Sequence, residues 1–325
     1  GPLSPTEFYL GELANEEWSI NADFVKEFDA GLASPLTFAF GGEFLNEEYI
    51  ISPGEPASYE PGPYSAFQPV GANGFPGFPP DYSGSLTRES YGVYAELSAD
   101  VIENLFIDVA GRFGHFSDFG ETTIGKIAAR YTVTDTFGLR GSVSTGFRAP
   151  TPGQLFTANV STRVTDGIVI ASGLFPASNP VAQFLGAEEL GPEESTNYSL
   201  GFTAEFGGLE LSVDLYQIDI TDQFYASREI EVTDAIRTQL IAANIVGAAT
   251  IGQVQFFQNS FDSVTKGIDV VASYDIDWDT IGTTGITASF NYNEFEVEKV
   301  FDPFLFGLEE VYDFENEKPK YRAAI

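Results

Sequence analysis

The 325-residue chain is 43% hydrophobic and carries a net charge of −33, with 48 acidic residues against 15 basic ones. That balance excludes a nucleic-acid partner, because phosphate binding needs clustered Lys and Arg. The absence of Cys and the single His115 exclude disulfide scaffolds, thiol nucleophiles and two-His metal sites. No run approaches the roughly 18 consecutive apolar residues of a membrane-spanning helix. A mean hydropathy of −0.03 is nevertheless what a membrane wall of strands gives, since only alternate residues meet lipid. The start, Gly1-Pro2-Leu3-Ser4-Pro5, lacks the order of a signal peptide. Tyr321 to Ile325 enter a fresh alternation, so both ends read as cuts through a longer protein.

Period-two alternation, which puts every second side chain on one face of a strand, recurs along the chain. The first run sets Trp18, Ile20, Ala22 and Phe24 against Ser19, Asn21 and Asp23, and the second sets Leu36, Phe38, Phe40 and Phe44 against Thr37, Ala39, Gly41 and Glu43. Tyr91, Val93, Ala95 and Leu97 then oppose Ser90, Gly92, Glu96 and Ser98, and Leu105, Ile107 and Val109 oppose Asp108, Ala110 and Arg112. Ile127, Ala129, Tyr131 and Val133 oppose Lys126, Arg130 and Thr132, while Leu139, Val143 and Phe147 oppose Arg140, Ser142 and Ser144. Four more runs begin at Tyr198, Leu209, Ile268 and Ile286.

Tight turns at Asp29-Ala30-Gly31, Ile102-Glu103-Asn104, Asp135-Thr136-Phe137-Gly138, Gly207-Gly208 and Thr280-Ile281-Gly282 interleave with longer loops over 51–87, 115–122, 149–194, 221–262 and 294–320. All the long loops therefore leave one end of an up-and-down sheet, an asymmetry expected of outer-membrane barrels and not of sandwiches. The pattern predicts an all-β, antiparallel up-and-down transmembrane β-barrel portion. It has about 10–11 strands, short periplasmic turns and long extracellular loops. Residues 51–87, with Phe75-Pro76-Gly77-Phe78-Pro79-Pro80, read as an extracellular excursion. Within 221–262, a capping Thr233 followed by good helix formers to Ala249 predicts a short helix riding on a loop.

Several phrases resemble the barrel of the TonB-dependent receptors: Gly146-Phe147-Arg148-Ala149-Pro150, then Leu190-Gly191-Pro192-Glu193-Glu194-Ser195-Thr196-Asn197-Tyr198 leading into a strand. Downstream, Asp214 to Gln223 and Asn259 through Thr265-Lys266-Gly267-Ile268-Asp269 are similar to the next family strands. Upstream, Phe40-Gly41-Gly42-Glu43-Phe44, Tyr49 and Gly54-Glu55-Pro56 fit the same order. The resemblance implies a bacterial outer-membrane location and a barrel of about 22 strands in the complete protein. It also implies a plug domain that engages the TonB complex, and uptake of a scarce nutrient such as a ferric siderophore, cobalamin or a carbohydrate. Residues 1–325 read as a partial barrel domain, from the middle to the later part, without the plug. Outer-membrane lipid and a small nutrient ligand are the expected partners, with no cofactor and no enzymatic activity. A passive porin or a surface-exposed β binding module are the alternatives that alternation alone allows.

Barrel transporters bind with inner-wall and loop residues. Arg112, Lys126, Arg130, Arg140 and Arg148 all fall on the inward register of three consecutive strands, forming a positive stripe in an acidic chain. They are the candidate lumen-facing contacts to an anionic ligand or to plug carboxylates. The competing expectation is cross-strand pairing with Glu96 and Asp108, which stabilises a wall without any ligand. His115 is expected as a solvated loop residue. Asp275, Asp277 and Asp279 have only the opening spacing of a calcium loop and are expected as polar turn positions, with Trp278 an interfacial anchor.

Overall fold

A computed structural model describes residues 6–64, 71, 76–165, 168–246 and 248–325. The Gly-Pro start and parts of the Pro- and Gly-rich excursion (65–70 and 72–75) lie outside the described residues. Along the first half come β1 (Gly11–Phe28), β2 (Leu36–Pro53), helix α1 (Pro56–Tyr59), β3 (Gly84–Ile102), β4 (Leu105–Phe116), β5 (Gly120–Thr134) and β6 (Phe137–Arg148). Then follow α2 (Pro152–Phe156), β7 (Asn159–Thr165), β8 (Ile168–Leu174), α3 (Pro180–Phe184), β9 (Glu193–Phe206) and β10 (Leu209–Ala226). The chain continues through β11 (Ile230–Glu231), α4 (Asp234–Ala242), β12 (Ile251–Gln255), β13 (Phe257–Asp277), β14 (Thr283–Val300), α5 (Leu308–Asn316) and β15 (Tyr321–Ala324).

Eleven strands form one sheet in the order β1-β2-β3-β4-β5-β6-β9-β10-β13-β14-β15. Every neighbouring pair is antiparallel. Each run of alternation is part of one of these strands. The two central residues of the β9–β10 hairpin, Gly207 and Gly208, both have positive φ, 55° and 89°. Two-residue hairpins of right-handed twist require such values, and glycine adopts them without a Cβ clash. Many strands are long, 18 residues in β1, β2, β10 and β14 and 21 in β13. About 9–11 residues suffice to cross a bilayer, so the wall continues well beyond it at the end bearing the long loops.

The cross-strand registers sort the side chains onto two faces. One carries Trp18, Ile20, Phe24, Phe40, Val93, Val109, Ile127, Val143, Leu200, Leu215 and Phe290, all solvent-exposed. In water such a surface would be an open hydrophobic patch far above the few hundred Å² typical of monomers; facing lipid, it is in its proper solvent. The opposite face carries Asp23, Glu43, Tyr94, Glu96, Arg112, Lys126, Arg140, Ser142, Ser199, Asp214 and Asn291.

The buried hydrophobic core sits outside the wall. β11, β12, β8 and β7 form a second, four-stranded sheet from two loops far apart in sequence, with β12 pairing parallel to β8. Beneath it pack Phe175, Val181, Leu240, Val254, Phe256 and Leu305, all nearly or fully buried. Burying one such side chain stabilises by roughly 1.5–3 kcal/mol, enough in sum to make the loops a folded cap. Three details differ from expectation. Residues 115–122 are mostly strand, with only 117–119 between β4 and β5. The Thr233-capped helix stops at Ala242, because Asn244 takes φ 54°. His115 lies in β4 on the apolar face, stacked on Tyr91 at 5.0 Å with its Nδ1 shielded from solvent, and is not a solvated loop residue.

Candidate functional site

All five basic residues of the predicted stripe share the polar face, on β4, β5 and β6. Four are held by carboxylates. Arg112 pairs with Glu43 at 3.0 Å, Lys126 with Asp108 at 3.5 Å and Arg148 with Glu193 at 2.6 Å, and Arg140 forms a two-pronged pair with Asp214, its Nε 2.8 Å from Oδ1. Among the described residues Arg130 has no ion pair and lies over the Phe106 ring at 5.4 Å. Asp108 was the expected partner of the stripe; Glu96 takes no cation among the described ion pairs. The two-pronged geometry of Arg140 and Arg148 is the stronger kind of charged contact. The Arg112, Lys126 and Arg140 pairs are partly exposed, so each contributes at most about 1 kcal/mol, whereas Glu193, the partner of Arg148, is buried and also accepts from the Phe224 amide at 2.9 Å.

The pairs Arg112–Glu43 and Arg140–Asp214 do not join neighbouring strands. Each skips one, and the strand passed over carries glycine at that point: Gly92 lies between Glu43 and Arg112, and Gly201 between Arg140 and Asp214. Tyr94 likewise donates to Asp23 at 2.7 Å over Gly41, and Asn293 donates to the Tyr216 hydroxyl at 3.0 Å over Gly267. A Cβ on Gly201 would overlap the Asp214 carboxylate and stand 2.7 Å from the Val213 carbonyl. Glycine thus lets long side chains close over it, lacing alternate strands on the inner wall.

Gly201→Ala is therefore expected to destabilise the full-length protein by about 1–3 kcal/mol, the overpacking loss outweighing the roughly 0.5–1 kcal/mol gained in backbone entropy. Urea unfolding in detergent micelles measures it. In an Asp214→Ala background the loss shrinks, because only the Val213 carbonyl still collides; equal losses in both backgrounds would refute the lacing.

Arg130 and Arg140 border a groove of ≈ 510 Å³ at the short-turn end of the inner wall, lined also by Thr132, Thr203, Glu205 and Ser212. At the opposite end, Arg88 is 3% exposed. Its Nε donates to Asp118 at 2.8 Å, Nη2 donates to the Pro150 carbonyl at 2.6 Å, Glu47 stands 3.7 Å away, and the guanidinium covers Phe119. Burial pushes the Glu47 carboxyl above its ordinary value, with the Arg88 charge pulling it back. Nothing in the alternation marked Arg88. The only available signal was a lone Arg entering a wall strand opposite Glu47.

The cap is seated by polar contacts. Thr151 and Gln154 form a capping box on α2, and Thr157 donates to the Tyr49 hydroxyl on the inner wall at 3.1 Å. Arg237 of α4 donates to the carbonyls of Ala248, Ile251 and Val232 at 2.6, 3.1 and 3.4 Å, tying the helix to β12. At the short-turn end, Asp277 accepts from the Asp279 amide at 2.9 Å, and Trp278 is exposed while donating to Thr284 at 3.0 Å. That geometry suits a headgroup-level anchor.

The family model described as TonB dependent receptor-like, beta-barrel, matches residues 5–323. The chain belongs to this family. It is thus an outer-membrane protein of a family of receptors and transporters. Solved TonB-dependent receptors share its fold. The siderophore receptor PirA of Pseudomonas aeruginosa is 14% identical with a TM-score of 0.60, over 89% of this chain and 44% of that one. PirA of Acinetobacter baumannii is 16% identical with a TM-score of 0.54, over 88% and 37%. The RagAB peptide importer in its closed-closed state is 16% identical with a TM-score of 0.56, over 89% and 31%. The chain spans less than half the length of these structures. The comparison with curated proteins gives no match.

Proposed function

We propose that residues 1–325 are a portion of the barrel domain of an outer-membrane receptor that takes up a scarce nutrient using energy delivered by TonB. The observation that carries this reading is the division of the wall into an apolar outer face and a laced polar inner face, capped at one end by a folded loop domain, in a chain of this family. A passive pore needs an open water-filled lumen, whereas here α2 and its loop fold onto Tyr49 of the inner wall. TonB would be engaged through a plug domain of the complete protein. Of the stripe residues, Arg112, Lys126, Arg140 and Arg148 tie the wall together, and Arg130, bordering the inner groove, is the proposed contact to the plug or to a passing ligand. Binding of the periplasmic domain of TonB to the purified full-length protein, followed by surface plasmon resonance, tests the reading. Saturable binding is expected; its absence would leave a receptor without energised transport.

A further inference from the structure

Only 15 basic residues serve the whole chain, yet Lys318, Lys320 and Arg322 stand within five positions, between the end of α5 and β15. All three line a pocket of ≈ 150 Å³ between α5 and the polar face of β13 and β14. Like charges so close repel, and only Lys320 is neutralised, its Nζ donating to Glu294 at 3.1 Å. Among the described residues Lys318 and Arg322 have no ion pair. Solvation is the ordinary state of a surface cation, but two observations go beyond it. The pocket is walled by the Phe295 and Phe314 rings and by Pro319, which keep bulk water from its sides. Arg322 also lies in one row with Asn291 and Asp269, the two-strand separation at which Arg140 reaches Asp214 over Gly201. Here asparagine replaces the glycine between them, and its Nδ2 donates to Asp269 Oδ1 at 2.7 Å. The reach to Asp269 is blocked, so the Arg322 guanidinium is left for another acceptor.

Charge and size narrow what the pocket can take. Glu315 is the only carboxylate lining it, and one of its oxygens accepts from the Val297 amide at 3.1 Å. Glu317, beside Lys318 in the chain, is exposed and does not line it. With Lys320 held by Glu294, two cations face one carboxylate, and the balance favours an anion. The volume is below the roughly 300–1,000 Å³ of sites that enclose a whole ligand, so one small group fits and a bulky chelate does not. A guanidinium presents paired donors that match two oxygens of a phosphate, and an ammonium is a point charge suited to the third. A carboxylate has no third oxygen to offer Lys318. We propose that this pocket binds a single phosphate group, either free or carried as a monoester on a small molecule. The site consists of this chain's own residues and stands whether or not TonB energises the complete protein.

Isothermal titration calorimetry on detergent-purified full-length protein, at constant ionic strength and neutral pH, tests it with inorganic phosphate, glycerol phosphate and acetate in parallel. Saturable binding of inorganic phosphate is expected, weakened tenfold or more by Arg322→Gln and by Lys318→Gln. Lys299→Gln removes a cation that lies over Phe301, outside the pocket, and should leave the affinity unchanged. All three variants should keep the heat-dependent electrophoretic mobility of the folded wild type. Glycerol phosphate that competes with inorganic phosphate would support the site and assign it to a monoester; glycerol phosphate that does not bind would support it as a site for free phosphate. No saturable phosphate binding, acetate bound as tightly as phosphate, or binding that both pocket variants leave unchanged would overturn the proposal. An equal loss in Lys299→Gln would also overturn it, because the effect would then belong to net charge and not to the pocket.

Discussion

Replacing Arg88 by Met is expected to destabilise the outer rim by about 3–5 kcal/mol, the loss typical when one partner of a buried ion pair is removed. Met retains much of the volume, so the loss is electrostatic: Asp118 and Glu47 lose their cation and the Pro150 carbonyl loses its donor. Because those partners lie on β2, on the 117–119 connection and at the start of the 149–192 loop, the break should also loosen the cap. Protease cleavage near residues 117–119 and 150 would report it. The deficit should depend on pH. Burial already raises the Glu47 carboxyl above 4.5, opposed by Arg88, and removing the cation raises it further. A carboxyl raised in the folded state contributes stability when protonated, below its unfolded value, and loses that contribution as pH rises through the folded value. The Arg88→Met deficit is thus largest at neutral pH and narrows as pH falls toward 4.5. A deficit that grew on acidification would contradict this.

Leu200→Arg is expected to cost about 2–4 kcal/mol, the depth-dependent penalty for a cation on the lipid face near the bilayer midplane. Leu200 is 62% exposed and sits mid-strand on β9, in the row of Leu215. Ser199→Arg, one residue away, should change stability little, since Ser199 faces the polar interior beside Ser142, 2.8 Å away. Unfolding of the full-length protein in phospholipid vesicles would measure both. Equal penalties would mean that β9 does not have one lipid face and one watery face.

The eleven wall strands were legible because a wall between lipid and water enforces period-two alternation over many residues. Where that constraint lapses, the sequence stops announcing the strand. β13 shows alternation only from Ile268, although it begins at Phe257, because its first residues run beneath the cap, where Phe261 and Val264 are buried together with Ser260 and Ser263. The cap sheet was missed for a related reason. Its strands are 2 to 7 residues long, too short to establish a period, and β12 finds β8 across about eighty residues of chain. Isolated apolar residues such as Val160, Ile230, Ile251 and Val254 inside long loops were the available signal. The basic stripe was legible as a face, but its partners were not. Pairing that skips a strand over glycine needs the three-strand register, and single-strand alternation does not contain it.

The central claim is the division of one sheet between two solvents, and site-directed spin labelling tests it most directly. Because the chain has no Cys, labels placed singly at Ser199, Leu200, Phe202 and Thr203 of the full-length protein, with any Cys elsewhere removed, report each face after reconstitution into phospholipid vesicles. Labels at 200 and 202 should collide with oxygen far more than with a water-soluble nickel chelate, and labels at 199 and 203 should show low oxygen contact. Oxygen accessibility without that alternation, or chelate access on both faces alike, would contradict a membrane wall.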